Sequence, residues 1–318
     1  VLYLLFGLAT LACGLASSYS ALMSARIAAG VFGGVLSALT QTIVGDVIPF
    51  ERRGRAMGVV MTAFSVTTVA GVPLGLFVAT HLGWNATFLG IAGLCALFAV
   101  CALFTLPVLN AHLNRGAPSS TWSRISETLQ DRNHQWAFLF SALLMFVGFT
   151  MIPYITLYAQ ANIGLSASQI PLLYLFGGIA TLFSARVVGR MTDSWGKLQT
   201  FTLTAGAVTL PMLAYSVLGH APLWVALLIT TLFFVCMSGR VIPGMAMLTS
   251  AANPAMRGTF MTLSSAVQSV SMGLASLIGG YIISRDANGM LQHYWMAAGL
   301  GAAVSLLTIV VGRRLRIH

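Results

Sequence analysis

Long apolar stretches alternate along the chain with short polar segments, and this pattern predicts membrane-spanning helices. An α-helix rises 1.5 Å per residue, so about 20 apolar residues cross a hydrocarbon core roughly 30 Å thick. Ten stretches have about this length: 1–16, 21–44, 57–80, 86–107, 136–158, 169–190, 199–218, 222–246, 259–284 and 293–312. The pattern therefore predicts an all-α integral membrane protein with ten transmembrane helices.

The chain is 58% hydrophobic and 7% charged, yet its net charge is +10. A net charge of this size would suggest a nucleic-acid-binding protein only if the basic residues shared one soluble surface. They follow the loops instead. One alternating set of loops and the C-terminus hold Arg52, Arg53, Arg55, Arg115, Arg124, Arg132, Arg190, Lys197, Arg257, Arg313, Arg314 and Arg316, with Arg186 at the edge. The opposite set holds only Arg285, so the positive-inside rule places the first set and the C-terminus in the cytoplasm.

An internal repeat appears at an offset of 204 residues. Arg53-Gly54 matches Arg257-Gly258, and Leu74-Gly75 matches Ile278-Gly279 with the same spacing. The helices at 136–158 and 169–190 then have no counterpart, so we expect a plan of six plus six helices whose first two helices precede this chain. The domains expected are an N-terminal half-bundle at 1–109 (helices 3 to 6 of the plan), a central cytoplasmic loop at 110–135, and a six-helix bundle at 136–318.

The central polar segment has its own short pattern. Trp122, Ile125 and Leu129 recur at helical spacing, which predicts a short helix lying in the membrane interface. An ordinary flexible linker is the alternative.

These features together resemble the major facilitator superfamily. The segment GRMTDSWGK at 189–197 is similar to the cytoplasmic loop motif of that superfamily, and the residues that fit are Gly189, Asp193, Gly196 and Lys197. The segments GVPLG at 71–75 and GWNATF at 83–88 resemble the bacterial drug and sugar efflux branch, which includes arabinose-efflux-like proteins and chloramphenicol exporters. Leu76 and Asn85 depart from the pattern of that branch. The resemblance implies a multi-pass, monomeric transporter of the bacterial inner membrane.

The loop motif combines charges with two separate purposes. Arg190 and Lys197 serve orientation, whereas Asp193 needs another explanation. Because the halves of this superfamily are related by an axis along the membrane normal, Asp193 should approach the helix starting near residue 57, together with Arg53 and Arg55. A carboxylate there would hold the two halves together on the cytoplasmic side; a solvated turn is the alternative.

Arginines inside predicted helices are candidates for transport and coupling, because burying a charge in a bilayer costs several kcal/mol. Arg26 stands at the position of the fourth-helix arginine of the superfamily, with snorkelling to the outer surface as its alternative, and Arg240 stands one turn before Pro243. In GVPLG, Gly71, Pro73 and Gly75 predict a kinked, closely packed interface between the halves, or packing alone. By analogy with the family, the side chains expected to line a cavity are Gln41, Tyr154, Tyr158, Phe234, Met237 and Gln268.

Other functional classes find little support. No enzymatic motif occurs, the cysteines and histidines lack metal-ligand spacing, and we expect no cofactor. No Asp or Glu lies in the middle of a predicted span, so a proton-carrying carboxylate would have to belong to the two preceding helices. The sequence predicts a secondary transporter whose partners are the lipid bilayer, a small amphipathic solute and protons, with export favoured over symport import.

Overall fold

The computed structural model of the chain describes residues 1–47, 66–105, 121–253 and 256–316. It divides into two compact units, which are described separately. Unit 1 comprises Val1–Phe64 and Gly71–Thr121, and unit 2 comprises Ser65–Ala70 and Trp122–His318.

Unit 1 contains four described helices. They are α1 (Leu2–Leu15), α2 (Tyr19–Val47), α3 (Val72–Leu82) and α4 (Trp84–Thr105). A π-helical turn, Thr67–Gly71, directly precedes α3. Gly83 makes the turn between α3 and α4 with φ +89°, a backbone conformation that glycine adopts without strain.

Unit 2 includes most of the π-helical turn described above, and from Trp122 onward it consists of a short helix followed by an interrupted bundle. Its helices are α5 (Thr121–Gln130), α6 (Arg132–Phe149), α7 (Ile155–Tyr158), α8 (Ile170–Trp195), α9 (Lys197–Ala207), α10 (Thr209–Ser216), α11 (Leu223–Ala251), α12 (Arg257–Ile282) and α13 (Tyr294–Gly312). A 3₁₀ turn, Ile152–Tyr154, and a π-helical turn, Ala159–Ile163, flank α7. Two short strands, β1 (Ser284–Arg285) and β2 (Leu291–Gln292), form an antiparallel hairpin.

Seven helical segments of the described residues are long and apolar enough to cross a membrane. They are Tyr19–Leu36, Trp84–Ala102, Arg132–Ile163, Ile170–Trp195, Leu223–Ala251, Arg257–Ile282 and Tyr294–Gly312. The other three predicted stretches are not confirmed as spans. The helix within 1–16 has only 14 residues, the stretch at 57–80 begins outside the described residues, and the stretch at 199–218 is divided at Val208.

The division at Val208 has a local cause. Pro211 has no N–H to donate to the carbonyl of Ala207, so one rung of the helical ladder is missing there. The rungs on either side persist, because Val208 donates to Thr204 and Met212 donates to Val208. Residues 197–216 therefore form two helical pieces that follow each other with a single interrupted bond.

The short helix predicted in the central segment is confirmed as α5. Asp131 ends this segment and caps α6, since its Oδ1 accepts from the backbone N–H groups of Asn133 (2.8 Å) and His134 (3.0 Å). One carboxylate thus fixes the corner between α5 and α6.

The core of unit 2 gathers buried side chains from five helices. Phe140 of α6 meets Phe201 of α9 at a ring distance of 5.1 Å, and Phe138 stacks on Phe260 of α12 at 5.1 Å. The outer surface is also apolar: Phe183 is 66% exposed and Leu306 is 53% exposed. A helical bundle that exposes large apolar side chains along long helices is suited to a lipid environment.

Unit 2 has two distinct ends. At the basic end, α5, the residues after α11 and the segment after α13 meet; this is the end that the loop charges predict to be cytoplasmic. The opposite end carries the β1–β2 hairpin. There the side chain of Asn162 pairs with the backbone of Leu291, donating to its carbonyl and accepting from its N–H, both at 2.9 Å. Asp286 holds the hairpin turn by accepting from the N–H of Met290 at 2.8 Å.

Candidate functional site

A buried arginine lies in the middle of α11. Arg240 is 0% exposed, and its Nη2 donates to the backbone carbonyl of Leu144 in α6 at 2.8 Å. Its Nη1 lies 3.6 Å from the sulfur of Met237, one turn earlier. Its Nε has no acceptor among the residues that the structure describes. The guanidinium therefore ties α6 to α11 while several of its five N–H donors lack a strong acceptor.

This arrangement is energetically unusual. A charge inside a bilayer costs several kcal/mol unless it is paired, and a thioether is a weak acceptor. Within the described part of the chain, no carboxylate pairs with Arg240. Charged groups that persist in membrane spans without full satisfaction are candidates for function.

Close packing surrounds this arginine. A side chain at Gly148 of α6 would collide with the methyl group of Met237, and one at Gly244 of α11 would meet Leu144 at 2.9 Å. Pro243 lies in the interior of α11 and cannot donate to the carbonyl of Gly239. The small residues let α6 and α11 approach closely, and the proline weakens α11 beside Arg240.

The tyrosines predicted to line a cavity lie at an interruption of the first long helix of unit 2. Tyr154 ends the 3₁₀ turn after α6, and its hydroxyl donates to the carbonyl of Ser276 in α12 at 2.7 Å. Tyr158 is 4% exposed and donates to the carbonyl of Ser216 at 2.9 Å. In this conformation both hydroxyls serve to hold neighbouring helices.

Tyr158 belongs to a buried aromatic cluster that the sequence analysis did not predict. Its ring stacks on Tyr294 at 4.3 Å and lies 5.6 Å from Tyr215. Tyr215 donates to the carbonyl of Ile155, and Tyr294 donates to that of Met151. All three tyrosines lie near helix ends. Because tyrosine is enriched where helices leave the membrane, their positions in the sequence could have indicated this cluster.

The remaining cavity candidates are dispersed. Phe234 lies against Gly177 of α8 and 5.6 Å from the ring of Tyr174, whereas Gln268 is half-buried on α12. Gln41 belongs to α2 in unit 1, and its side chain lies outside the described residues. Among the members of the predicted set whose side chains are described, Met237 is the one that contacts Arg240.

The prediction that 189–197 forms a loop between helices is wrong. Helix α8 continues through Gly189, Arg190 and Asp193 to Trp195, and α9 begins at Lys197. Only Gly196 makes the turn, with φ +97° and ψ +148°, a conformation open to glycine without strain. Arg190 and Asp193 have helical propensities adequate for a last turn, so the chain needs a single glycine to reverse.

The two charges around this turn have different environments. The Nζ of Lys197 is half-buried and donates to Ser250 Oγ of α11 at 2.5 Å, which attaches the turn to α11. Asp193 is exposed, and no residue within the described ranges pairs with it. Its predicted partners, Arg53 and Arg55, lie outside the described residues, so its contact with the other half stays a prediction.

The candidates of unit 1 have local partners. The guanidinium carbon of Arg26 lies 5.2 Å from the ring centre of Phe88 in α4, a cation–π geometry. Gly75 of α3 contacts Thr87 of α4, whose hydroxyl donates to the Gly75 carbonyl at 3.1 Å.

Pro73 lies two residues after an irregular piece of helix. The π-helical turn Thr67–Gly71 runs directly into α3, and Gly71 itself has helical φ −64° and ψ −48°. Pro73 therefore lies within continuous helical backbone, and the kink predicted from it stays a prediction.

The structure describes a multi-pass helical bundle with a buried cation and close helix contacts at small residues. These features are typical of a membrane transporter. Comparison with known families agrees. The sequence profile of the Major Facilitator Superfamily matches residues 1–276. The chain belongs to this superfamily.

Three relatives match most of the chain. The chain is 27% identical to a chloramphenicol resistance protein of Streptomyces lividans over 92% of this chain and 73% of that protein. It is 22% identical to a probable sugar efflux transporter of Pasteurella multocida over 97% of this chain and 72% of that protein. The chain is 24% identical to YtbD of Bacillus subtilis, an uncharacterised transporter of the same superfamily, over 92% of this chain and 73% of that protein.

Proposed function

We propose that this transporter exports a small amphipathic solute in exchange for protons, by alternating access. Membership of the superfamily supports a small-molecule substrate. The name of one relative, a probable sugar efflux transporter, supports the outward direction, and the chloramphenicol resistance named for another is compatible with it. A solute–proton symporter that imports its substrate is the alternative.

The observation that carries the proposal is the bond between Arg240 and the Leu144 carbonyl. Two helices of one half are held together by a cation that keeps unused donors in a low-dielectric interior. Such a contact is well suited to exist in two arrangements, one closed as described and one in which the guanidinium turns to a solute or to water. A transporter needs contacts of this kind, because its conformers must lie within a few kcal/mol of each other.

The solute would contact side chains that combine apolar surface with a few hydrogen-bonding groups. We assign this role to Gln41, Tyr154, Tyr158, Phe234, Met237 and Gln268. Methionine and aromatic side chains adapt to amphipathic molecules, and amides add orientation. Tyr154 and Tyr158 must exchange their present carbonyl partners for the solute, whereas Met237 and Phe234 already line the packed surface beside Arg240 and Tyr174.

Coupling and gating are assigned to separate groups. Arg26 and Arg240 are the proposed coupling residues. Gly189, Arg190, Asp193, Gly196 and Lys197 form the proposed gate, in which Lys197 fixes the turn to α11 and Asp193 reaches the other half. Gly71, Pro73 and Gly75 are proposed to pack the interface between halves.

The proposal includes the organisation of the intact protein. Residues 1–109 and 136–318 would form the two moving halves, joined by 110–135, in a monomer of the bacterial inner membrane with its C-terminus in the cytoplasm. Protons and one solute are the expected ligands, and nucleic acid is not.

Transport by the full-length protein in inverted vesicles tests the proposal. Energised inverted vesicles should accumulate at least one amphipathic dye, and a protonophore should abolish the accumulation. Empty vesicles and the Arg240→Met variant serve as controls. Dye movement that is insensitive to the proton gradient would refute proton coupling, and proton-driven movement out of these vesicles would establish the importer.

A further inference from the structure

Three exposed arginines lie at the basic end of unit 2, and one of them contacts a tryptophan. Arg132 begins α6, Arg314 and Arg316 follow α13, and all three side chains are exposed. The guanidinium carbon of Arg314 lies 4.8 Å from the ring centre of Trp136, in the second turn of α6. We call Arg132, Arg314, Arg316 and Trp136 the basic patch.

Hydrogen bonds bring the members of the basic patch together. Asn133 Nδ2 donates to the carbonyls of Ala251 (2.9 Å) and Arg316 (3.1 Å), and the N–H of Arg316 donates back to Asn133 Oδ1 at 2.9 Å. The C-terminal segment is thereby fixed against the first turn of α6. The backbone that carries Arg316 is thus attached to the first turn of α6.

No carboxylate neutralises the three arginines among the residues that the structure describes. The two acidic residues nearest in sequence have other bonds: Asp131 caps α6, and Glu127 accepts from Ser123 at 2.9 Å. The patch therefore presents an uncompensated positive charge where α6 enters its membrane span.

Helix α5 adds an apolar surface next to this charge. Trp122 is 78% exposed and Leu129 is 46% exposed, and at about 100° per residue they share one side of the helix. Hydrogen bonds attach α5 to the bundle. His134 is 0% exposed; its Nδ1 donates to the Thr128 carbonyl of α5, and its Nε2 accepts from the N–H of Asn253, both at 3.1 Å. Gln135 also donates to the Leu129 carbonyl.

We infer that the basic patch and α5 together form a binding site for an anionic phospholipid of the leaflet at the basic end. The phosphate of a glycerophospholipid is recognised by exposed guanidinium groups, and interfacial tryptophans lie at the level of headgroup and glycerol. A free phosphate ion would bind the arginines but would not contact the apolar side chains of Trp122 and Leu129.

Binding of titrated phospholipid to the detergent-purified full-length protein tests the inference by native mass spectrometry. Phosphatidylglycerol is compared with phosphatidylcholine of identical acyl chains. Each Arg→Gln change in the patch should weaken phosphatidylglycerol binding about fivefold, and thus Arg132→Gln with Arg314→Gln about 25-fold. The matched control is Arg186→Gln with Arg257→Gln, which removes the same charge from exposed positions elsewhere and should change binding less than twofold.

A second variant keeps every charge. Trp122→Ser with Leu129→Ser should weaken phosphatidylglycerol binding severalfold while leaving the circular dichroism of the protein unchanged. A spin label at position 122 should be accessible to oxygen dissolved in the bilayer.

Four results would overturn the inference. They are equal binding of phosphatidylcholine, equal losses in the control pair, competition by glycerol phosphate as strong as by the lipid, and a label at 122 that is shielded from the bilayer by the other half of the chain. Glycerol phosphate competition would indicate a phosphate site, and equal losses would indicate diffuse charge.

Discussion

Arg240 in α11 donates a 2.8 Å hydrogen bond to the main-chain carbonyl of Leu144 in α6, from a fully buried position. The bond costs Leu144 nothing in its own helix, because a carbonyl has two lone pairs. The guanidinium group of Arg240 is only partly hydrogen-bonded, because its Nε has no acceptor in the described part of the protein.

Replacing Arg240 by methionine should separate folding from transport. Methionine fills similar space without a charge, so the free energy of unfolding should be unchanged or raised by up to about 4 kcal/mol. Transport should fall at least tenfold, because the cation that we propose to meet solute or proton is gone. Thermal unfolding of purified protein and vesicle transport are measured on the same preparations, with Arg285→Met as the control for loss of an exposed arginine. If stability falls in parallel with transport, Arg240 has a structural role.

Replacing Asp193 by asparagine should shift the conformational equilibrium toward the state that is open at the basic end. A carboxylate near a helix terminus contributes about 0.3–1 kcal/mol when exposed, and an exposed ion pair about 0.2–1 kcal/mol. The two contributions sum to about 0.5–2 kcal/mol. Since 1.4 kcal/mol is a tenfold population change, the expected shift is roughly two- to thirtyfold. Distances between spin labels across the basic end measure it, and Glu127→Gln is the charge-matched control. Wild-type distances and transport in Asp193→Asn would reduce the motif to an orientation signal.

Alanine at Gly279 should destabilise the protein, whereas alanine at Gly273 should not. A Cβ on Gly279 would lie 2.7 Å from the Thr150 carbonyl oxygen and 3.0 Å from the Tyr154 ring, so backbone would have to move, at a cost of about 1–3 kcal/mol. Gly273 lies on the same helix, and a Cβ added there would meet no atom within 4 Å, so alanine should stabilise by up to about 1 kcal/mol. The two melting temperatures, measured in the same detergent, give the answer; equal values would disprove the close contact.

Replacing Asn162 by alanine should release the hairpin at the end of unit 2 opposite to the basic end. Both backbone groups of Leu291 would lose their partners, at a cost of about 1–3 kcal/mol for each group that stays buried. Amide hydrogen exchange in residues 284–292 should accelerate at least tenfold, while exchange in α11 stays unchanged. Asn288→Ala, at an exposed position of the turn, is the control. Unaltered exchange would mean that strand pairing alone holds the hairpin.

The sequence could predict the features that arise from local composition. Apolar length identified the long helices, the spacing of Trp122, Ile125 and Leu129 predicted α5, and the motifs indicated the superfamily. Features that depend on partners distant in sequence could not be predicted. The bond from Arg240 to Leu144 spans 96 positions and ends on a main-chain atom, which carries no sequence signal. The donation from Tyr158, Tyr215 and Tyr294 to main-chain carbonyls is hidden for the same reason.

Local errors had local causes. The charges of GRMTDSWGK favoured a loop, but charge at the end of a span is compatible with helix, and one glycine sufficed for the turn. Pro73 indicated an irregular helix, but the sequence could not locate the irregularity in the π-helical turn that ends two residues before it.

The hairpin of residues 284–292 has a practical consequence for imaging. Small transporters offer electron microscopy few features outside the detergent belt by which particles can be aligned. Here the exposed turn from Ala287 to Gly289 is attached through Leu291 and Asn162 to the interior of the bundle. An antibody fragment raised against this turn would report the orientation of unit 2 faithfully, because the epitope and the helices share one rigid connection.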